Sequence, residues 1–232
     1  MILNETEWQI VALSLKVSGV AILGTLPLAF ILAWLLARKR FAGKILLDAL
    51  VHLPLVLPPV VTGWLLLLAF GMKGPVGRIL SDLFGLQFMF RWTGAALAAA
   101  IMALPLMVRA MRLSIEAVDT KLEDAARTLG AGPWRTFFEI TLPLAFPGVL
   151  AGLVLGFARS IGEFGATITF VSNIPGQTRT LPLAIYTTLQ LPGNEADATR
   201  LAIISVALSL GALVLSEMLV RRQNGGKDSH VL

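Results

Sequence analysis

The sequence predicts an all-α integral membrane protein with five transmembrane helices, and three observations carry that prediction. Hydrophobic residues make up 56% of the 232-residue chain and charged residues only 14%, far below the roughly one-quarter charged usage of soluble domains. Mean hydropathy is +0.80. The apolar residues are gathered into runs of about 20 or more, the length a helix needs to cross a hydrocarbon core of about 30 Å. With no cysteine and only two histidines, His52 and His230, the chain lacks the inventory for disulfides or Cys/His metal sites.

The first and longest apolar run, 10–37, has Lys16 near one end and Pro27 inside. Residues 1–9 read as an external N-terminus; Glu5 and Glu7 stand where a cleaved signal peptide would be basic. The second span, 45–70, contains Pro54, Pro58 and Pro59. Each proline removes a backbone donor, so this helix must bend or break. The kink either lines a pathway or serves packing alone. His52 reads as a hydrogen-bonding residue in the same stretch. The third span is 92–111, the fourth 144–171 and the fifth 201–220. The apolar segment 181–191 is about half a span and reads as interfacial or re-entrant. A full crossing there would make six spans and move one terminus to the other side. Residues 223–232 have the composition of a flexible tail.

Basic residues set the orientation. Arg38, Lys39, Arg40 and Lys44 follow span one; Arg109, Arg112, Lys121, Arg127 and Arg135 follow span three; Arg221, Arg222 and Lys227 follow span five. These loops are therefore cytoplasmic, the N-terminus is external and the C-terminus cytoplasmic. The net charge of +5 follows topology, and without basic runs interleaved with aromatics it does not point to nucleic acid.

The cytoplasmic loop 112–143 interrupts this apolar chain with LEDAARTLGAGPWRTFFEITLP. Val118, Leu122, Ala125, Ala126 and Leu129 form one stripe of an amphipathic helix, opposite Asp119, Lys121, Glu123, Asp124 and Arg127. Gly130 falls where a left-handed C-terminal cap belongs, and Pro133 suits the first turn of a second short helix. Trp134, Phe137 and Phe138 give that helix an aromatic face. Such a pair either lies on the inner leaflet or docks into a groove on a soluble partner.

The order Asp124, Ala125, Ala126, Gly130, Ile140, Leu142, Pro143, spaced D-A-A-x3-G-x9-I-x-L-P, resembles the EAA motif of permease subunits in bacterial ABC importers. Asp124 stands where that family has Glu, with Glu123 immediately before it. The resemblance implies that Gly132 to Glu139, with Trp134, Arg135, Phe137 and Phe138, is a coupling helix seated in a cleft of a separate ATPase subunit. ATP and Mg would be bound by that partner: this chain has no G-x-x-x-x-G-K-[ST] loop, and the expectation is a transport subunit with no cofactor or metal of its own. The stretches HLPLVLPPVVTG (52–63) and RSIGEFGATITFVSNIPGQTRTLP (159–182) resemble molybdate ABC transporter permeases; sulfate permeases share a related Gly-Glu-aromatic-Gly pattern. The family implies the type I importer fold, a homodimer, two cytoplasmic ATPase subunits, a periplasmic oxyanion-binding protein and the bacterial inner membrane. Molybdate is the expected cargo, with tungstate or sulfate as alternatives. A dimer also follows from size, since five spans are too few to enclose a route that ten around a two-fold axis can surround.

Arg159 and Glu163 lie four residues apart in span four. Intramembrane charges face the protein interior or a wet cavity, so the two form a structural ion pair or stand beside the path. Gly156, Gly162 and Gly165 read as close-packing positions. A secondary transporter or channel coupled through Arg159, Glu163 and His52 would leave the motif around Gly130 without a purpose. An intramembrane enzyme lacks H-E-x-x-H, a cysteine nucleophile and paired carboxylates.

Overall fold

A computed structural model describes residues 4–225, and among them every regular element is helical. Helix α1 (Glu5–Arg38) starts before the apolar run does, because the Asn4 side chain accepts from the Glu7 N–H while the Glu7 carboxylate accepts from the Asn4 N–H. This reciprocal capping box makes residues 5–9 helical, so the external N-terminal segment expected at 1–9 is mostly the first turn of α1.

The second expected span is two helices, α2 (Lys44–Val56) and α3 (Pro59–Phe70), bent by 116°. Pro54 is accommodated inside α2. The break comes at Pro58, which is extended (φ −54°, ψ 135°), while Pro59 occupies the first turn of α3, where its missing N–H has no helical partner to lose. Helix α4 (Pro75–Phe84) then fills the next loop, started by Gly74-Pro75 and stopped by Gly85 at φ 63°. Its ten residues fall short of a crossing, so the hydropathy of the sequence does not announce it. Helix α5 (Trp92–Glu116) runs past Met111, with Ile115 still fully buried.

Helix α6 (Thr120–Thr128) is followed by α7 (Pro133–Thr136), a π-helical turn (Phe137–Thr141) and α8 (Leu142–Ile161). The last three make one uninterrupted helix of 29 residues from Pro133 to Ile161. The segment expected to be a separate short coupling helix is thus the N-terminal end of the third long helix, Pro133–Ile161. Pro143 explains the π turn: it cannot donate and its ring crowds the carbonyl four residues back, and at this point the Leu142 N–H reaches back five residues to the Phe137 carbonyl. The widened turn lets the helix pass the proline without breaking.

At its other end α8 stops at Ile161, and α9 (Gly165–Val171) follows as a separate helix. The expected span 144–171 is therefore broken at residues 162–164. Helix α10 (Leu181–Leu189) has nine residues and rises about 14 Å, too little to cross. Helix α11 (Glu195–Gly225) includes the start of the expected tail; residues 226–232 lie outside the described residues. Among the described residues four helices are long and apolar enough to span, namely α1, α5, the Pro133–Ile161 helix and α11, and the bent α2–α3 pair makes a fifth if counted as one.

Small residues decide how these helices approach. Gly148, Gly152 and Gly156 form a strip on α8 that meets α5: a Cβ at Gly148 would lie 2.1 Å from Ser114 Cβ, and one at Gly156 2.8 Å from Met107 Cγ. Gly63 of α3 lies against Ala166 of α9, and Gly165 of α9 against Pro59. Gly162 has room around it and is instead the residue at which α8 ends. Around these contacts Ala29, Ala33 and Leu36 of α1 pack with Met107, Met111 and Ile115 of α5 at one end. Val17 and Ala21 of α1 pack with Ala95, Ala99 and Met102 of α5 and Phe170 of α9 at the other.

Replacing Gly148 by Val should destabilise the α5–α8 contact by about 1–3 kcal/mol, as overpacking does. The same change at Gly162 should leave thermal stability in detergent nearly unchanged, and a paired thermal-shift measurement checks the contrast.

Candidate functional site

The elbow between α6 and α7 is built by backbone geometry. Asp119 caps α6 by accepting from the Lys121 N–H at 2.9 Å. At the other end Gly130 adopts φ 87°, the Ala131 N–H reaches the Ala126 carbonyl and the Gly130 N–H reaches that of Arg127, both at 3.0 Å. These are the two bonds of a Schellman cap, so Gly130 has the role its position predicts. Gly132 is extended at φ −68° and ψ 166° and delivers the chain to Pro133.

The apolar stripe of α6 does not pack inward: Leu122 is half-exposed and Leu129 is 89% exposed, with Ala125 also at the surface, while the residue α6 buries is Glu123. Trp134 (76% exposed) stacks on Phe138 (57% exposed) with ring centroids 6.3 Å apart. Phe137 turns the other way and meets Phe30 of α1 edge-on at 5.9 Å. The tip thus offers Leu129, Trp134 and Phe138, rimmed by the exposed Arg135–Glu139 and Arg127–Asp124 pairs. Ile140 is half-buried within the π turn; Leu142 and Pro143 open α8.

The two adjacent carboxylates have separate surroundings. Asp124, the residue in register with the motif, is exposed and pairs only with Arg127. Glu123 is buried, accepting from Arg38 Nη2 at 2.9 Å and from the Thr141 hydroxyl at 2.8 Å. The same Arg38 Nη2 donates to the Val118 carbonyl at 3.2 Å. Three distant stretches meet here: the end of α1, the first turn of α6 and the π turn. Arg38 was read from sequence only as an orientation signal; nothing local in the sequence pairs it with a residue 85 positions away.

At the far end of α8, Arg159 Nη1 lies 2.6 Å from Glu163 Oε2. Arg159 sits in the last helical turn, but Glu163 lies past the helix end, so the two do not share one helix face. Its second oxygen accepts from the Ala166 N–H at 2.8 Å, tying the start of α9 to the end of α8. Glu163 is 3% exposed, whereas the Arg159 side chain retains 25%. Pro59 packs on Gly165 beside them, so the breaks in the α2–α3 and α8–α9 helices adjoin. Pro58 holds the first of these breaks and Pro54 stands one turn earlier in α2.

The loop after α9 is ordered by its own side chains. Thr178 donates to the Ser172 carbonyl and accepts from the Ile174 N–H, and Asn173 links Thr187 to Arg179. Ser172 holds φ 64° and ψ −168°, a region glycine normally occupies. Ser14 of α1 receives the Leu181 N–H at 2.8 Å. His52 Nδ1 lies 2.9 Å from the Asp48 carbonyl, the hydrogen-bonding placement expected of it, and Arg112 bridges Asp48 and Glu116 nearby. Among the described residues no cluster of acidic groups and histidines is arranged to hold a metal.

Residues 25–225 match the family of binding-protein-dependent transport system inner membrane components. The molybdenum transport system permease protein ModB of Escherichia coli (strain K12) is 61% identical over 98% of this chain and 100% of its own length. The corresponding Haemophilus influenzae protein is 59% identical over 93% of this chain and 94% of its own. The fold matches a solved bacterial ABC transporter involved in import of the acidic polysaccharide alginate, with TM-score 0.73 and 20% identity over 95% of this chain and 80% of that one.

Replacing Arg159 by Met strands a buried Glu163 and should destabilise the protein by about 3–5 kcal/mol, while Arg159→Met with Glu163→Met together should recover much of that loss. Chemical denaturation of the four variants in detergent gives the cycle directly.

Proposed function

The chain belongs to the binding-protein-dependent transport system inner membrane components, and from that premise we propose that it is the permease subunit of an ATP-driven oxyanion importer whose cargo is molybdate. The observation that carries the mechanism is the elbow: an exposed apolar tip of Leu129, Trp134 and Phe138 on the end of a continuous helix running from Pro133 to Ile161. An apolar tip in the aqueous phase needs a partner, and the reading supplies a cytoplasmic ATPase subunit. Trp134 and Phe138 enter its cleft, and Asp124, exposed beside them, offers the carboxylate.

In this reading two copies of the chain surround a central route and each holds one ATPase. The basic ends of α1, α5 and α11 face the cytoplasm, following the positive-inside bias; the N-terminus and the loop 172–180 face outward, where a binding protein delivers the anion. ATP and Mg belong to the ATPase subunits. Closing them draws the two elbows together and switches the route between outward-open and inward-open states. Arg159 attracts the anion, and Glu163 keeps the site from holding it tightly, because a route must release what it admits. Molybdate, over tungstate and sulfate, is favoured by the full-length similarity to molybdenum permeases.

Purified protein, reconstituted with its ATPase and loaded binding protein, should accumulate labelled molybdate only with ATP, and excess sulfate should compete weakly. Uptake driven by an ion gradient without the ATPase would overturn the reading; equal competition by sulfate would reassign the cargo. Gly130→Val should lower uptake per ATP hydrolysed, because a β-branched residue at φ 87° strains the cap by about 1–2 kcal/mol. Gly130→Asn should do so less, since Asn tolerates the left-handed region. Nothing lies within 4 Å of a Cβ at this position, so crowding would not account for the difference.

A further inference from the structure

We propose that Arg38 is a positioning residue for transport: through Glu123 it ties the elbow to α1, so that α1 and α8 are driven as one body by the force applied at the elbow. The covalent paths from the elbow lead into α5 on one side and α8 on the other, and neither reaches α1. What joins it to α1 is the buried contact in which Arg38 Nη2 reaches Glu123 at 2.9 Å and the Val118 carbonyl at 3.2 Å, with the Thr141 hydroxyl on the same carboxylate oxygen at 2.8 Å. Phe30 and Phe137 add an apolar contact between the same two elements.

The charge geometry favours a mechanical role. The Arg38 and Glu123 side chains are only 15% and 11% exposed, so neither can exchange its partner for bulk water as the elbow moves, as the exposed Asp124–Arg127 pair can. A pair in which both charges are shielded must travel together or leave a charge unpaired. The consequences of moving α1 reach its far end. There Glu7 accepts from Arg200 of α11 at 2.7 Å, and Ser14 holds the start of α10 through the Leu181 N–H. Beyond the direct chain connection to α5, force entering at the elbow therefore has two exits. One runs along α8 to Arg159 and Glu163; the other runs through Arg38 and α1 to α10 and α11.

This rests on the importer reading, and the test separates the two. Complexes that copurify with the ATPase are reconstituted, and molybdate accumulated per ATP hydrolysed is measured for the native chain, Arg38→Met, Glu123→Met, the double Arg38→Met/Glu123→Met, Arg38→Lys and the exchange Arg38→Glu/Glu123→Arg. The double Met variant strands no charge, so it keeps the packed elbow but not the tie. Its ratio should fall by about five- to hundred-fold, the range of a lost coupling free energy, while Arg38→Lys retains most of the native ratio and the exchange recovers part of it. A double Met variant with the native ratio would overturn the proposal and make the pair a static fastening. If the native complex itself fails to transport, the importer reading fails instead.

Discussion

The unbroken helical path from Pro133 to Ile161 is the constraint on which the rest of the structure depends. Its 29 residues extend about 43 Å, longer than a hydrocarbon core of about 30 Å. In the proposed importer one end reaches the cytoplasm while the other remains at membrane depth. The protruding end carries Trp134 and Phe138, and the other carries Arg159. A helix this long keeps its ends in fixed relation, so what happens at the tip is felt beside the charged pair. The π turn at Phe137–Thr141 preserves this continuity, because an α-helical register through Pro143 would have kinked the rod one turn from its tip.

The helix breaks obey the complementary rule. In hydrocarbon every backbone donor and acceptor must find a protein partner, so irregular backbone survives only where protein covers it. The α2–α3 break at Pro58 and the α8–α9 break at 162–164 shield each other through the contacts of Gly63 with Ala166 and of Gly165 with Pro59. Glu163 satisfies the Ala166 N–H that the second break exposes. The ion pair with Arg159 is thus structural: one carboxylate closes the backbone account of α9 and neutralises the guanidinium. In the proposed importer the anion meets an arginine whose counter-charge is already in place.

Much of this was legible in the chain. The long apolar runs, the bend at the Pro58-Pro59 pair, the half-length helix at 181–189 and the left-handed glycine at 130 follow from local physics: hydropathy, a missing N–H, length and an absent Cβ. Other features needed the third dimension. Asn4 and Glu7 spell a capping box, but its weight in starting α1 was outranked by hydropathy. Helix α4, at ten residues, is too short for its hydropathy to mark it as a crossing. The amphipathic stripe of α6 predicted which residues share a face; the burial of Glu123 on the opposite face was not legible, because Arg38 offers Glu123 a partner that no window of sequence contains. The same distance in sequence hid the role of Arg38. The break after Ile161 was missed because the run stays apolar across Gly162 and Phe164, and hydropathy does not distinguish one long helix from two joined at a glycine.

The central claim is that the tip of this rod is held by a separate ATP-hydrolysing subunit. Since the chain has no cysteine, a single one placed at Trp134 can carry a photoreactive probe without background labelling, with Tyr186 of α10, at the opposite end of the molecule, as the control position. Irradiation of cells accumulating molybdate should trap the ATPase from position 134 and not from position 186. Active accumulation with no ATPase captured at position 134 or at its exposed neighbours Arg135, Phe138 and Glu139 would contradict the account.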